Sequence, residues 1–308
     1  VVLTNFQKFH LEDKARLESF FKAAGFRLCE YSFPIQFCWQ DYNDSAWTIV
    51  DDMLVIRYVV DGQYRFVCPV GTGNRRRVVE KCFEYQAAAG SPLRIDFVPD
   101  VDGCHNEDIG PDDGCAPVAQ RDPDNDDYIY LTAELADLPG KRFAGKRNHI
   151  SALTRDHRWN VEKVDSATHT SLILDFVTRW AQLRGMDHDH QIALELEAVK
   201  RAIVFAPQLG LDIFLLNIDG AMAGISIGEK ALPDTYVVHF EKSDVDVKGA
   251  YQALCSRVAA MVRDECMYID REQDMGVEGL RKTKHSWNPV RMEQCWTVFP
   301  GNHQDGKQ

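Results

Sequence analysis

The charged chemistry of this chain concentrates between Tyr268 and Pro289. A short apolar strand ends there by releasing Arg271, Glu272 and Asp274. Gly276 and Gly279 follow, then a basic cluster of Arg281, Lys282 and Lys284. Alternating charge around a glycine-containing strand-to-helix turn is costly to bury. Such turns aim backbone N–H groups and charged side chains over pockets. Arg281 and Lys284 are three apart, so on a helix they share a face. That face suits an anionic ligand, or it meets Glu272 and Asp274 in an internal salt-bridge network.

A second polar constellation runs from Thr235 to Tyr251. A strand ends in His239, Glu241 and Lys242, and a polar loop feeds a helix that opens at Gly249, with Tyr251 in its first turn. The free N–H groups of a helix start attract anions; alternatively, Gly249 only lets the helix begin tightly. Glu195 lies on a predicted helix with no charged partner one turn away. It is either solvated or a cleft-facing base or amine binder.

Metal binding is not expected. Asp122-x-Asp124-x-Asp126 begins like a calcium loop, but Asp127 stands at the glycine position and Ala133 at the closing glutamate. Cys104, His105 and Cys115 lack a fourth zinc ligand.

The elements that position these groups follow from periodicity. Length, 308 residues, allows two domains. In the first half, strands at 47–50, 53–60 and 64–67, the last two joined by the hairpin signal Asp61-Gly62, precede a helix at 75–89 and a strand at 93–98. In the second half, helices at 168–184 and 190–205 precede strands at 211–217, 221–229 and 235–240. A helix at 249–262 and strands at 267–270 and 293–299 complete it. The repeated order matches the acetyltransferase fold typified by Gcn5-related N-acetyltransferases. It predicts an α/β (α+β) chain of two tandem domains, with mixed, mainly antiparallel sheets flanked by helices. The boundary is set at 143/144, giving domains 1–143 and 144–308.

Ten acids and one base, Arg121, occupy 100–127, so most of the net charge of −12 sits in one acidic insertion. The remainder keeps basic clusters and does not exclude an anionic partner. Nine cysteines are scattered with no Cys-x-x-Cys pair, as expected of reduced thiols in a cytoplasmic protein. No apolar run approaches the ~20 residues of a membrane span.

Read together, Glu241-Lys-Ser-Asp244, Lys248-Gly-Ala-Tyr251 and Asp270-Arg-Glu-Gln-Asp-Met-Gly-Val-Glu-Gly-Leu-Arg-Lys-Thr-Lys284 resemble an uncharacterised bacterial family. That family is similar to the C-terminal domain of phosphatidylglycerol lysyltransferases. Asp127-Tyr-Ile-Tyr130, Gly140-Lys-Arg-Phe143, Lys146-Arg147-Asn148-His-Ile150 and Glu195 match as well. Trp287 stands where the family more often has tyrosine.

The resemblance implies two tandem acetyltransferase-like domains and transfer of an aminoacyl group from aminoacyl-tRNA to an amine or hydroxyl acceptor. Small-molecule, lipid and peptide acceptors all stay open. Glu195, Glu241 and Lys242 are the expected catalytic residues. Lys146, Arg147, Asn148, His239, Gly249, Tyr251, Arg271, Glu272, Asp274, Arg281 and Lys284 are expected to bind substrate. No cofactor is required. Coenzyme A is disfavoured, because Lys248-Gly249-Ala250, preceded by Asp244 and Asp246, is a poor pyrophosphate loop. Two alternatives are a coenzyme A-dependent N-acyltransferase and a non-catalytic binding module of the same fold.

Overall fold

The computed structural model describes residues 3–99, 117–186 and 188–301. Most of the acidic insertion, with Cys104, His105 and Cys115, lies outside the described residues.

Two compact units form. One contains Val1–Asp126 and Glu293–Gln308, the other Asp127–Met292. The expected junction at 143/144 falls inside the second unit, because Asp127–Leu131 pairs in the second sheet and Cys295–Phe299 in the first. Each sheet therefore takes a strand that local pattern assigns to the other half.

The first unit begins with α1 (Lys14–Ala24) and α2 (Phe33–Trp39). Strands β1 (Ala46–Val50), β2 (Met53–Val60) and β3 (Gln63–Val67) form a meander. Its turns, Asp51-Asp52 and Asp61-Gly62, have positive φ at both central residues, the geometry that matches strand twist. After β4 (Val70–Gly71) comes α3 (Arg75–Ala88), capped by the Asn74 side chain on the Arg77 N–H. The chain returns as β5 (Ile95–Pro99), parallel to β3. The last strand, Cys295–Phe299, and β6 (Val118–Arg121) complete the sheet antiparallel. The calcium-like segment is tied up locally, with Arg121 bonding both oxygens of Asp126 at 2.6 and 2.7 Å.

The second unit holds β7 (Asp127–Leu131), α4 (Thr132–Asp137), α5 (Ala144–Asp156) and β8 (Trp159–Val164). The helices α6 (Ser166–Leu183), α7 (His190–Val204) and α8 (Ala206–Leu209) follow. Next come the antiparallel strands β9 (Asp212–Ile218), β10 (Ala221–Leu232) and β11 (Thr235–Ser243). α9 (Ala250–Val262), β12 (Tyr268–Asp270) and α10 (Glu278–His285) come after them, and β13 (Arg291–Glu293) runs across the unit's end at Met292. The sheet order is β13-β7-β12-β11-β10-β9-β8. β12 is parallel to β11, and α9 makes the crossover.

Both units share an antiparallel meander, a helix, one parallel step and antiparallel strands beyond it. The chain is thus two tandem acetyltransferase-like units. In the second, Leu254 and Val258 of α9 bury against Phe214, Leu216, Tyr236 and Val238 of the sheet. Fully burying one such aliphatic side chain contributes roughly 1.5–3 kcal/mol. Among the described residues, no helix is long and apolar enough to cross a membrane.

Candidate active site

The site begins where β11 and β12 part. Their parallel pairing runs from Thr235↔Tyr268 to Val237↔Asp270 and stops, while β11 continues to Ser243. Against β10, β11 carries one extra residue. Ile227 pairs with Phe240 but Gly228 pairs with Val238, so His239 is the bulge. A bulge reverses the alternation of the strand beyond it. Tyr236 and Val238 face α9 before it. Beyond it, Glu241 meets the α9 side and Lys242 meets α6 and α7. Gly228 accommodates the bulge, since a Cβ there would overlap the Val237 carbonyl oxygen.

A cavity of about 420 Å³ opens at this strand end. Glu241, Lys242 and Ser243 form one wall, and Gly249, Tyr251 and Gln252 at the α9 start form another. Trp180 of α6, Arg184 at that helix's C-terminal cap and His149 of α5 close the sides.

Behind Glu241 and Tyr251 sits Arg271, only 8% exposed. Its Nη2 donates to the Glu241 carboxylate and to the Tyr251 hydroxyl. The rings of Tyr251, Trp287 and Tyr130 lie 5.3, 5.6 and 6.0 Å from the guanidinium carbon. Nη1 is buried and donates to no acceptor among the described residues. Burial opposes the Arg271 charge, yet the acidic groups around it keep it firmly protonated. Burial also pushes the Tyr251 phenol up, although Arg271 pulls it down. Cys255 is pushed up to about 12 by burial, so it is no thiolate nucleophile.

Lys242 forms an ion pair with Glu195 of α7 and stands 4.5 Å from the Trp180 ring centre. Two expected catalytic residues are thus joined, with Glu195 reached through Lys242.

The remaining expected residues divide by task. Lys146 bonds Ser286 at 2.6 Å and lies 4.7 Å from the Trp287 ring centre. Burial, with Arg271 nearby, lowers its pKa. Arg147 donates to the carbonyls of Leu138 and Gly140, beyond the end of α4, and Asn148 is exposed. Gly249 has φ +95°, and a Cβ on it would overlap the His149 carbonyl oxygen. Its missing side chain makes room for α5 rather than for a ligand.

His239 is buried between Glu229 and Glu272. Asp274 is fully buried and takes both Nε and Nη2 of Arg281, at 2.8 and 2.7 Å. Lys284 donates to the carbonyls of Arg271 and Glu272. Arg281 and Lys284, expected to hold a ligand, are instead engaged within the protein. They fasten the loop that carries Arg271.

Trp180, Arg184 and His149 escape sequence reasoning. Trp180 of α6 and Arg184, which caps the end of that helix, stand four apart, with the guanidinium carbon 5.7 Å from the ring centre. An aromatic–basic pair at helical spacing was the available signal, and it is common on surface helices.

Comparison with known proteins adds to this geometry. No curated protein matches the chain in sequence. A conserved protein of unknown function from Bacteroides thetaiotaomicron is 26% identical, with a TM-score of 0.83; the match covers 97% of this chain and 100% of that one. L-PGS from Bacillus licheniformis shares 12% identity with a TM-score of 0.63, over 94% of this chain and 92% of that one. The C-terminal domain of a protein assigned as a lysylphosphatidylglycerol synthetase from Agrobacterium fabrum gives 11% and 0.63, over 94% and 93%. Identities this low show a shared fold. The family model described as phosphatidylglycerol lysyltransferase, C-terminal, matches residues 21–299. The chain therefore belongs to the family of the phosphatidylglycerol lysyltransferase C-terminal domain, a family of transferases with an acyltransferase-like fold.

Proposed function

We propose that the second unit transfers an aminoacyl group from aminoacyl-tRNA to an amine or hydroxyl acceptor. The observation that carries this reading is Arg271, held behind the cavity by Glu241 and Tyr251 with one guanidinium nitrogen lacking an acceptor. In the reaction, the acceptor's nitrogen or oxygen attacks the ester carbonyl carbon. The new amide or ester bond forms, the bond to the tRNA ribose oxygen breaks, and that oxygen leaves with a proton. Of the two carboxylates on the cavity lining, Glu241 and Asp244, Glu241 is the one held by Arg271, and it serves as proton acceptor. Arg271 makes a charged environment for the developing oxyanion, and Lys242 adds to it. Glu195 fixes Lys242. Arg184 and Lys248, both on the cavity lining, suit the anionic end of the donor.

Coenzyme A fits less well. The glycine that would admit its pyrophosphate is packed against α5, and Asp244 lines the same loop.

The test is turnover of tRNA charged with mixed radiolabelled amino acids, run with amine and hydroxyl acceptors. Protein-dependent transfer is expected, with Arg271→Met and Glu241→Gln each reducing it by about 10²–10³-fold. Transfer from acetyl-coenzyme A instead, abolished by Arg271→Met, rejects the donor. Donor binding without turnover makes the protein a binding module.

A further inference from the structure

The His239 ring sits at the point where the two site-bearing strands separate. It is the extra residue of the β11 bulge, and its side chain is 1% exposed. Nδ1 meets Glu272 at 2.9 Å, and Nε2 meets Glu229 on β10 at 3.2 Å. The last backbone pair between β11 and β12 is Val237↔Asp270. His239 and Glu272 each lie two residues beyond it, so their side chains bridge the strands where the ladder has ended.

Glu272 is held from several directions. Its backbone is in the left-handed region, at φ +57°. Its N–H donates to Asp270 Oδ1 at 2.7 Å, and its carbonyl accepts from Lys284 Nζ at 2.9 Å and from the Tyr128 N–H at 3.2 Å. A non-glycine residue in this region is strained and persists only where its surroundings over-determine it.

Two carboxylates share one imidazole. Burial disfavours its charge, but the hydrogen bonds to Glu229 and then Glu272 outweigh burial and hold its pKa at about 10. A ring that donates from both nitrogens is an imidazolium. It is a poor general base, and it does not line the cavity.

Glu241 lies two residues after His239, and Arg271 one residue before Glu272. We infer that His239 is a positioning residue: its doubly bonded ring sets the spacing between the two strand ends, and so holds Arg271 against Glu241. The kinetic consequence rests on the aminoacyl-transfer reading; the local fastening does not.

The test compares the full-length protein with His239→Gln, Arg271→Met and the double variant. Amide hydrogen exchange at 270–276 and 240–244 should speed up by roughly ten-fold or more in His239→Gln, with α3 and β9 unchanged. The kcat for transfer should fall by about ten-fold or more at nearly constant KM, and the double variant should be no worse than Arg271→Met alone. If His239→Gln does not fold, Glu229→Gln keeps the Glu272 link and should give the same local exchange pattern in weaker form. Uniform acceleration across the protein, or unchanged exchange at 270–276, overturns the inference. So does additive loss in the double variant. Absence of any transfer by the parent protein counts against the proposed reaction, and the exchange data then decide this inference alone.

Discussion

Replacing Arg281 with alanine asks whether the basic cluster of α10 serves the fold or a ligand. Its partner Asp274 is 0% exposed. That carboxylate accepts two bonds from Arg281, one from the Tyr128 hydroxyl at 2.6 Å and one from the Gly276 N–H at 2.9 Å. Removing one member of a buried ion pair typically costs ~3–5 kcal/mol, because the other charge is left stranded. Two features reduce that figure here. The Arg281 side chain is 37% exposed, so solvent already screens the pair, and two donors to Asp274 survive. A loss of about 2–3 kcal/mol follows. For a unit the size of 127–292, each kcal/mol moves Tm by ~2–4 °C, so a drop of roughly 4–12 °C is expected.

The pH dependence gives a sharper check. Burial raises the Asp274 pKa, but the bonds from Arg281, Tyr128 and Gly276 outweigh it and hold the carboxyl below its usual range. A folded-state value below the unfolded one gives stability that is present above about pH 4 and lost as pH falls through the folded value. Without Arg281, burial regains weight and the Asp274 pKa rises. The gap between parent and variant should therefore be widest near neutral pH and narrow toward about pH 4. Scanning calorimetry at both pH values measures it. A Tm change under about 1 °C at neutral pH, with loss of transfer activity, would refute the structural role and restore Arg281 to the site.

Gly249→Ala should destabilise by about 2–4 kcal/mol in urea, from left-handed strain plus overlap with the His149 carbonyl. Gly145→Ala is its control: it sits within α5 with open space at its Cβ position, and should be neutral or stabilising by up to about 1 kcal/mol. Asp270 is fully buried, and burial, with Asp127 beside it, pushes its carboxyl well above the usual range. Its favourable contribution is then present below about pH 4 and falls as pH rises toward the folded value. Asp270→Asn should be relatively more stable near pH 8 than near pH 5, and equal urea midpoint differences at both would count against the protonated reading.

Local pattern carried much of the fold. Asp61-Gly62 and Asp219-Gly220 mark tight turns and have the positive φ values those turns require. The helix predicted at 249–262 is α9, which runs from Ala250 to Val262. The strand Trp159–Val164 was missed. It is an edge strand, no side chain along it is fully buried, and the alternation is correspondingly weak. Strand exchange was equally hidden. Cys295–Phe299 reads as a strand from its own residues, but nothing in them says which sheet it joins.

The site was legible as residues and not as faces. Val237-Val-His-Phe-Glu-Lys242 reads as unbroken alternation, which sends His239 and Glu241 the same way. The bulge breaks that rule, and the residue that makes room for it, Gly228, lies on the neighbouring strand. One extra residue thus decides which side of the sheet receives the carboxylate and which receives Lys242. The same limit separates the arginines. Arg271 and Arg281 look alike beside Glu272 and Asp274 in sequence. A residue leaving β12 enters the gap between diverging strands, whereas one on α10 meets the loop's own aspartate. Charge at a strand end marked the neighbourhood of the site, and the divergence of β11 from β12 selected Arg271 within it.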